Sequence, residues 1–356
     1  MANKHNVLIL GASYGSLLGT KLAMGGHNVT MVCLPAEVAA FNSDGAIVRM
    51  PIKGRDGLVE INSKKLPGKL GAAGTTDVDP AKFDLIVLAM QEPQYRSPGV
   101  RELTEKVAKS GKPCMSIMNM PPLPYLKRIP GLDTSKLRQC FAEATVWDAF
   151  DPKLMTLCSP DPQAFRPPEA KVNVLQVRLP TNFKSARFES AAHTQILKDM
   201  EADVDAARFE ADGKALEVPV KLKVHDSIFV PLAKWAMLIA GNYRCVGKDG
   251  MRPIKEAVHS DIDTTRKVYE WVVKLCVGLG ADPKDLVPFD KYAQAALSLG
   301  SPSSAARALA AGAPHIQGGG LLGKSIGGLE GERLDALDQT VDLVEGWLAK
   351  NRAAKA

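Results

Sequence analysis

The sequence predicts an α/β fold, with a parallel sheet and its helices in the N-terminal part and helices alone in the C-terminal part. Residues 7–10 and 84–90 form apolar runs typical of strands buried on both faces. Helical spacing follows such runs, for example over 100–108, whereas strand signals nearly vanish beyond Val220. With 356 residues available, we expect two domains, 1–220 and 221–356.

The first apolar run leads directly into a glycine turn and a helix. Gly11 and Gly15 lack a Cβ where the backbone must turn and approach a ligand, and Gly19 lets the helix pack close to the strand. Free N–H groups at the start of that helix would suit a pyrophosphate. A second strand over 26–33 completes the β-α-β context of the dinucleotide fingerprint, although Ser13 stands where the common GxGxxG pattern has a glycine. This context predicts a Rossmann-type NAD(P)-binding domain.

Residues at the ends of later strands extend the expected cofactor site, because ligands of an open parallel sheet bind beyond the carboxyl ends of its strands. The second strand ends at Cys33, Leu34 and Pro35, which offer neither the acid that binds the ribose of NAD nor the arginine that accommodates the 2′-phosphate of NADP. These residues leave the choice open, and we expect NADP(H) ahead of NAD(H). The expected cofactor-binding residues are Gly11, Ala12, Ser13, Tyr14, Gly15, Ser16, Leu34, Gln91, Gln94 and Asn119.

From residue 139 to about 220, short strand candidates alternate with Pro-rich turns and predict an antiparallel extension of the sheet. The candidates cover 141–147, 154–158 and 172–177. Beyond residue 220 we expect a helix over 228–245, one long helix over 253–280 with Ile262 on its inner face, and a glycine-rich loop over 315–328.

The helix expected over 228–245 is apolar nearly all round, so it should be buried. Lys234 and Asn242 interrupt it. At 100° per residue their spacing leaves a net offset of about 80°, so both can face one side. A buried lysine costs free energy unless it is used or paired, which makes Lys234 a candidate catalytic residue; a lysine that snorkels at the helix surface is the alternative.

Composition excludes several other classes. A net charge of +6 is mildly basic and lacks the clustering of a nucleic-acid binder, and no apolar run reaches the ~18 residues that a membrane span needs. The chain enters a strand without a signal peptide, so we expect a cytoplasmic protein. The six cysteines form no CxxC pair and the six histidines no HxxxH pair, which predicts neither a disulfide framework nor a metal site.

The order of these features resembles the ketopantoate reductase family (the PanE/ApbA-type reductases) across most of the chain. Residues 11–19 are similar to the family's glycine turn, and Gln91 and Gln94 fall at its Lys-x-x-Gln loop. Asn119 falls at its Asn-Gly turn near the nicotinamide. Lys234 with Asn242 resembles its Lys-x-x-x-Asn-x-x-x-Asn helix, in which the lysine is the general acid.

The resemblance implies a Rossmann-type domain plus a C-terminal all-α domain of the 6-phosphogluconate-dehydrogenase-like kind, a homodimer, and an NAD(P)H-dependent reductase of a small 2-oxo acid. Lys234 would then donate the proton to the carbonyl oxygen, with Asn119 and Asn242 as its catalytic partners. Ser304 would bind the substrate carboxylate. His315 stands near the position of a family glutamate. The implied substrate-binding residues are Lys234, Asn242, Ser304 and His315.

Departures from the family pattern keep two other functions open. Leu238 replaces the middle asparagine of the helix motif, Met120 replaces the glycine after Asn119, and the glutamate is absent. An opine- or imine-type dehydrogenase and a non-catalytic NAD(P)-binding sensor are therefore the alternatives. A short-chain dehydrogenase is disfavoured, because the chain contains no Tyr-x-x-x-Lys pair.

Overall fold

Residues 4–355 are described by a computed structural model, in which the chain forms two units that are discontinuous in sequence. The first unit comprises Met1–Met90, Gln94–Met118 and Val146–Asp226, and the second comprises Gln91–Pro93, Asn119–Thr145 and Ser227–Ala356. The domain limits 1–220 and 221–356 stay a prediction.

Strands belong to the first unit, and most of the helices belong to the second. The strands are β1 (Asn6–Leu10), β2 (Asn28–Val32), β3 (Ile47–Pro51), β4 (Leu58–Asn62), β5 (Leu70–Ala73), β6 (Leu85–Leu88), β7 (Cys114–Ile117), β8 (Met155–Ser159), β9 (Gln163–Phe165), β10 (Val174–Leu179), β11 (Phe183–Ala186), β12 (Phe209–Ala211), β13 (Lys214–Leu216) and β14 (Leu222–His225). The helices are α1 (Tyr14–Met24), α2 (Pro35–Asp44), α3 (Val100–Lys109), α4 (Leu123–Leu126), α5 (Ala191–Ala206), α6 (Lys234–Met237), α7 (Ile254–His259), α8 (Ile262–Gly278), α9 (Phe289–Ala296), α10 (Ser304–Ala310), α11 (Gly319–Leu329) and α12 (Asp335–Ala353).

The first unit is built on an eight-stranded sheet with the order β14-β11-β8-β7-β6-β1-β2-β5. The strands from β5 to β8 in this order run parallel. Val7, Leu8 and Ile9 of β1 are fully buried, which confirms the interpretation of their apolar run. The chain builds one side of the sheet from β2 and β5 and the other from β6 and β7, so β1 lies where the strand order reverses. Open α/β sheets bind ligands at such a switch point.

The predicted antiparallel extension is only partly right. β8 pairs parallel with β7, β11 pairs antiparallel with β8, and β14 returns to parallel pairing with β11. The long connection between β7 and β8 lets the chain re-enter the sheet in the same direction, which no local pattern reveals. The third strand candidate, over 172–177, became β10 of a separate sheet with the order β4-β3-β10-β9.

The first strand candidate, over 141–147, is wrong: residues Ala144–Trp147 form a 3₁₀ turn. The β-branched and aromatic residues there suggested a strand, but the Trp147 ring is buried between side chains, 5.3 Å from the ring of Tyr95 and 5.8 Å from that of Phe150. Aromatic packing here replaces the pairing with a neighbouring strand.

In the second unit, the single helix expected over 228–245 is broken into short pieces. A 3₁₀ turn (Val230–Ala233) leads into α6, a π-helical turn covers Leu238–Asn242, and a second 3₁₀ turn follows at Tyr243–Cys245. The Tyr292 hydroxyl donates to the Met237 carbonyl (3.2 Å), an acceptor that an uninterrupted α-helix would use within its own ladder. A side chain inserted in this way is a recognised cause of a local break.

The long helix expected over 253–280 is also two helices, α7 and α8. Asp261 ends the continuity, because its carboxylate accepts a hydrogen bond from Thr264 N–H (3.0 Å) and caps α8. Ile262, expected on the inner face, is 38% exposed. It lies in the first turn of α8, where the spacing of the buried residues of α7 no longer continues.

Residues 319–328, expected as part of a loop, lie in the helix α11. A Cβ at Gly319 would lie 2.8 Å from the Tyr243 hydroxyl, one at Gly323 2.6 Å from Ile239, and one at Gly327 2.5 Å from the Trp271 ring. These glycines recur every four residues, so they form one face along which α11 approaches its neighbours closely. Packing thus overrides the poor helix propensity of glycine.

Among the described residues, no helix is long and apolar enough to cross a membrane.

A buried lysine lies within the first unit. Lys21 of α1 is 1% exposed, and its Nζ donates to the Val218 carbonyl (2.9 Å). Burial lowers the pKa of Lys21 to about 7, and the nearby cations Lys221 and Arg208 lower it further. The ordinary pKa is 10.5. Unfolding therefore takes up a proton between about pH 7 and 10.5, and stability rises with pH across this window.

We expect Lys21→Met to stabilise the protein below pH 7, because it removes the cost of a buried charge. That advantage should shrink as pH rises towards 10.5, by at most about 1.4 kcal/mol per pH unit. Chemical denaturation of both proteins at about pH 6 and about pH 9 measures the difference. Lys69→Met, at an exposed position, is the matched control. If Lys21→Met stabilises the protein equally at both pH values, the lowered pKa of Lys21 is contradicted.

Candidate active site

The glycine turn lies at the switch point of the sheet. Gly11 follows β1 with φ +106°, and its N–H donates to the Val32 carbonyl (2.9 Å). A Cβ at Gly11 would lie 2.5 Å from Met90 Cγ and 2.9 Å from the Ala89 carbonyl oxygen. The turn therefore passes directly over the carboxyl end of β6, where only glycine has both the conformation and the space.

The start of α1 has the character of an anion site. Ser13 makes no side-chain cap to this helix, and the first turn holds no acidic residue among the described residues. The Ser16 hydroxyl donates to the Ala12 carbonyl, which keeps that oxygen within the turn. Ser13 is exposed and Tyr14 half-buried. Uncapped N–H groups and the helix dipole favour a phosphate at such a position.

The end of β2 contains an ion pair that the sequence did not reveal. Glu37, in the first turn of α2, accepts a hydrogen bond from Leu34 N–H (2.9 Å), and its other carboxylate oxygen contacts the Arg166 guanidinium. Leu34 is 70% exposed. Burial raises the pKa of the nearby Cys33 thiol to about 12; the Glu37 charge raises it as well, and the Arg166 charge opposes this.

No metal-binding group of three acids, thiols or histidines occurs among residues 4–355.

The loop after β6 is held by a tyrosine that sequence reasoning missed. Tyr95 is fully buried, and its hydroxyl accepts a hydrogen bond from Met90 N–H (3.1 Å). Gln94, a residue of the first unit, lies exposed in the adjacent 3₁₀ turn. Gln91, also exposed, belongs to the second unit. An apolar ring beside a strand end is usually core, so nothing in the sequence distinguished Tyr95.

In the second unit, Asn119 carries an unsatisfied polar atom. Its side-chain oxygen Oδ1 is buried and has no hydrogen-bond partner among the described residues. The next residue, Met120, accepts a hydrogen bond at Sδ from Gly318 N–H (3.2 Å). A buried acceptor without a protein partner can be satisfied by a water molecule or by a ligand. The segment that follows His315 thus lies beside the turn that carries Asn119.

Lys234 and Asn242 lie on either side of the α6–π boundary. Lys234 is the first residue of α6 and is half-buried rather than enclosed. Asn242 ends the π-helical turn, in which Tyr243 N–H donates to the Leu238 carbonyl. Because a π turn contains more residues than an α turn, the predicted offset of 80° does not apply. π turns of this kind occur frequently at functional sites.

The two neighbouring serines have different environments. Ser303 is buried; its hydroxyl donates to the Asn242 carbonyl (2.7 Å) and accepts from Ala306 N–H (3.1 Å), so it caps α10. Ser304 is exposed in the first turn of that helix, and His315 is half-buried in the segment before α11. The serine pair is therefore attached to the backbone that carries Asn242.

Tyr243 joins the π turn to the start of α11. Its hydroxyl donates to the Gln317 carbonyl (2.6 Å) and accepts from Gly319 N–H (3.0 Å). The start of α11 also contacts Met120, through the hydrogen bond from Gly318 N–H to its Sδ. Asn119, Asn242 and His315 thus lie on segments that contact one another within the second unit. Tyr243 was missed because a tyrosine in an apolar run reads as core.

No protein-family model matches the chain, and no curated protein sequence does. Solved structures do match. One is a 2-dehydropantoate 2-reductase from Methylococcus capsulatus, at 13% identity, a TM-score of 0.64 and coverage of 97% of both chains. The chain has the fold of ketopantoate reductases. This likeness confirms the predicted Rossmann-type region and helical C-terminal region, and it confirms the resemblance at the level of the fold.

Two further structures are similar over the whole length. A dimeric ketopantoate reductase from Staphylococcus aureus matches at 10% identity and a TM-score of 0.59, with 97% of this chain and 99% of that one covered. A D-mandelate dehydrogenase in ternary complex with NADH and anilino(oxo)acetate matches at 12% identity and a TM-score of 0.63, with 98% and 99% covered. The fold is therefore shared with a ketopantoate reductase and a D-mandelate dehydrogenase.

Gly11→Ala should lower stability by about 2 kcal/mol or more, because strain from the positive φ adds to the clash with Met90. Thermal unfolding measures the effect. Gly54→Ala is the matched control: Gly54 has φ +79° with open space around it, so this variant carries only the strain. Equal destabilisation by both substitutions would contradict the close approach at Gly11.

Proposed function

We propose that the protein is an NAD(P)H-dependent reductase that converts a small 2-oxo acid to the 2-hydroxy acid. The observation that carries this proposal is the glycine turn at the switch point, in a fold shared with ketopantoate reductases and D-mandelate dehydrogenase. The close approach at Gly11 and the uncapped start of α1 fit a dinucleotide pyrophosphate. We propose NADP(H) rather than NAD(H) as the cofactor.

The residues proposed to contact the cofactor follow the turn and the strand ends. They are Gly11, Ala12, Ser13, Tyr14, Gly15, Ser16, Leu34, Gln91, Gln94 and Asn119. When bound, the reduced nicotinamide supplies a hydride to the carbonyl carbon. The buried Oδ1 of Asn119 can accept a hydrogen bond from the carboxamide of such a ring, which would satisfy its missing partner.

Lys234 is proposed as the general acid. As hydride reaches the carbonyl carbon, negative charge develops on the oxygen, and the ammonium group stabilises this charge and then donates its proton. A half-buried lysine suits the role, because it keeps access to solvent for reprotonation while its stem is fixed by the helix. Asn242, at the end of the π turn, would orient the substrate, and His315 would provide a further polar contact.

Ser304 is proposed to bind the substrate carboxylate. Its hydroxyl is exposed in the first turn of α10. We further propose a cytoplasmic homodimer; the similarity to a dimeric reductase supports the dimer, and light scattering after size-exclusion chromatography tests it.

Lys234→Ala should lower kcat by about 10²-fold or more, because the developing oxyanion loses its proton donor. The measurement is NADPH oxidation over a panel of 2-oxo acids that includes ketopantoate, with NADPH affinity measured in parallel and expected to stay similar. Lys255→Ala, on the exposed face of α7, is the matched control. Unchanged turnover in Lys234→Ala would refute the assignment.

The same assay tests the reaction class. Oxidation that requires an added amine would point to an imine-type dehydrogenase. Binding of NADPH without oxidation by any oxo acid would point to a sensor. Either outcome would contradict the proposed reductase.

Ser304→Ala should raise KM for the oxo acid while leaving the melting temperature unchanged, because the exposed hydroxyl makes its contact only with substrate. Ser303→Ala, one residue earlier, should cost about 1 kcal/mol or more of stability through the lost cap and the lost bond to Asn242. Kinetics and thermal unfolding of the two variants separate the roles. An unchanged KM in Ser304→Ala would refute carboxylate binding there.

A further inference from the structure

The strongest unassigned feature of the first unit is an arginine that reaches the glycine turn from a distant part of the sequence. Arg166 directly follows β9, a strand of the second sheet, more than 150 residues beyond the turn. Its Nη2 donates to the Ala12 carbonyl (3.1 Å), and its Nη1 contacts the Glu37 carboxylate. One guanidinium therefore spans the glycine turn and the first turn of α2.

These contacts place the positive charge in the notch between the turn after β1 and the end of β2. In a Rossmann-type domain the adenosine ribose lies in this notch; an acid there binds the 2′-hydroxyl, and an arginine accommodates a 2′-phosphate. The end of β2 itself offers neither group, because it reads Cys33, Leu34 and Pro35. Arg166 supplies from another strand the cation that β2 lacks.

Glu37 is the competing candidate for ribose recognition, and its surroundings argue against it. Its side chain is 12% exposed, and both carboxylate oxygens are already engaged, one with Leu34 N–H and the other with Arg166. The Arg166 side chain is 32% exposed. A guanidinium has five N–H donors, and the two contacts described use two of them. The group available to a ligand in this notch is therefore the cation.

We infer that Arg166 is the specificity-determining residue for NADP(H), with its guanidinium as the donor to the 2′-phosphate of the adenosine ribose. This inference rests on the proposed function, because it requires a dinucleotide on the glycine turn. The planar fork of an arginine suits a phosphate. Glu37 holds the fork in position through its ion pair, and exposed Leu34 provides an apolar surface beside it for the adenine.

The test compares ligands that differ only in the 2′-phosphate: adenosine 2′,5′-bisphosphate against 5′-AMP by calorimetry, and NADPH against NADH by fluorescence titration. The wild-type protein should bind the 2′-phosphorylated member of each pair more tightly, by about tenfold or more. Arg166→Gln should abolish that preference by weakening only the phosphorylated ligands. Arg166→Lys should be intermediate, because it keeps the charge and loses the fork.

Arg178→Gln is the matched control. Arg178 lies on β10, the partner strand of β9, and its guanidinium carbon is 4.2 Å from the centroid of the Phe165 ring. It contributes the same charge to the same sheet without contact to the glycine turn, so both ligand preferences should persist. Melting temperatures of all variants verify folding, and Arg166→Lys serves if Arg166→Gln does not fold.

Three outcomes would overturn the inference. Equal weakening of both members of a pair by Arg166→Gln would mean that Arg166 only holds the turn together. A 2′-phosphate preference that survives in Arg166→Gln would assign selectivity to another residue, and in both cases the proposed reductase would stand. A wild-type protein that binds neither dinucleotide would refute the proposed function together with this inference.

Discussion

The close approach of the β1–α1 turn to the carboxyl end of β6 is the constraint on which the first unit depends. Without a Cβ, Gly11 lets the backbone pass within contact distance of Ala89 and Met90, so α1 can begin directly at the sheet edge. That geometry brings the helix dipole and the backbone N–H groups to the switch point. The other features of this edge are arranged around it: Tyr95 holds the loop after β6, and Arg166 holds the carbonyl of Ala12.

The second unit is organised by hydrogen bonds to backbone rather than by side-chain packing alone. Tyr292 donates to the Met237 carbonyl beside the π turn, Ser303 bonds the carbonyl of Asn242, and Tyr243 bridges to the start of α11. Each of these bonds is made by a hydroxyl that reaches another segment. They connect the segments that carry Asn242 and His315, and the bond from Gly318 N–H to Met120 Sδ adds the segment that carries Asn119.

Local patterns predicted β1, β2 and β6 of the parallel sheet and the helices α1 and α3, because each of these elements is specified within its own residues. The run at 7–10 and the glycine turn after it needed no distant partner to be interpreted. The errors came where residues distant in sequence determine the local structure. Examples are Tyr292 beside the π turn, the long connection that leads into β8, and the close packing that makes a helix of residues 319–328. The candidate site divides in the same way, since Gly11 was visible in sequence, whereas Arg166 lies far from the turn that it contacts.

The glycine face of α11 has a consequence for the order in which the protein folds. A segment this rich in glycine has little tendency to be helical by itself, so it gains its structure only after Ile239, Tyr243 and Trp271 provide a surface to dock on. Its formation is therefore expected late, and its amide protons should exchange with solvent sooner than those of the buried strands. The helix α11, which folds last, would then be the element that holds Gln317 and Gly318 beside the segments of Asn119 and Asn242.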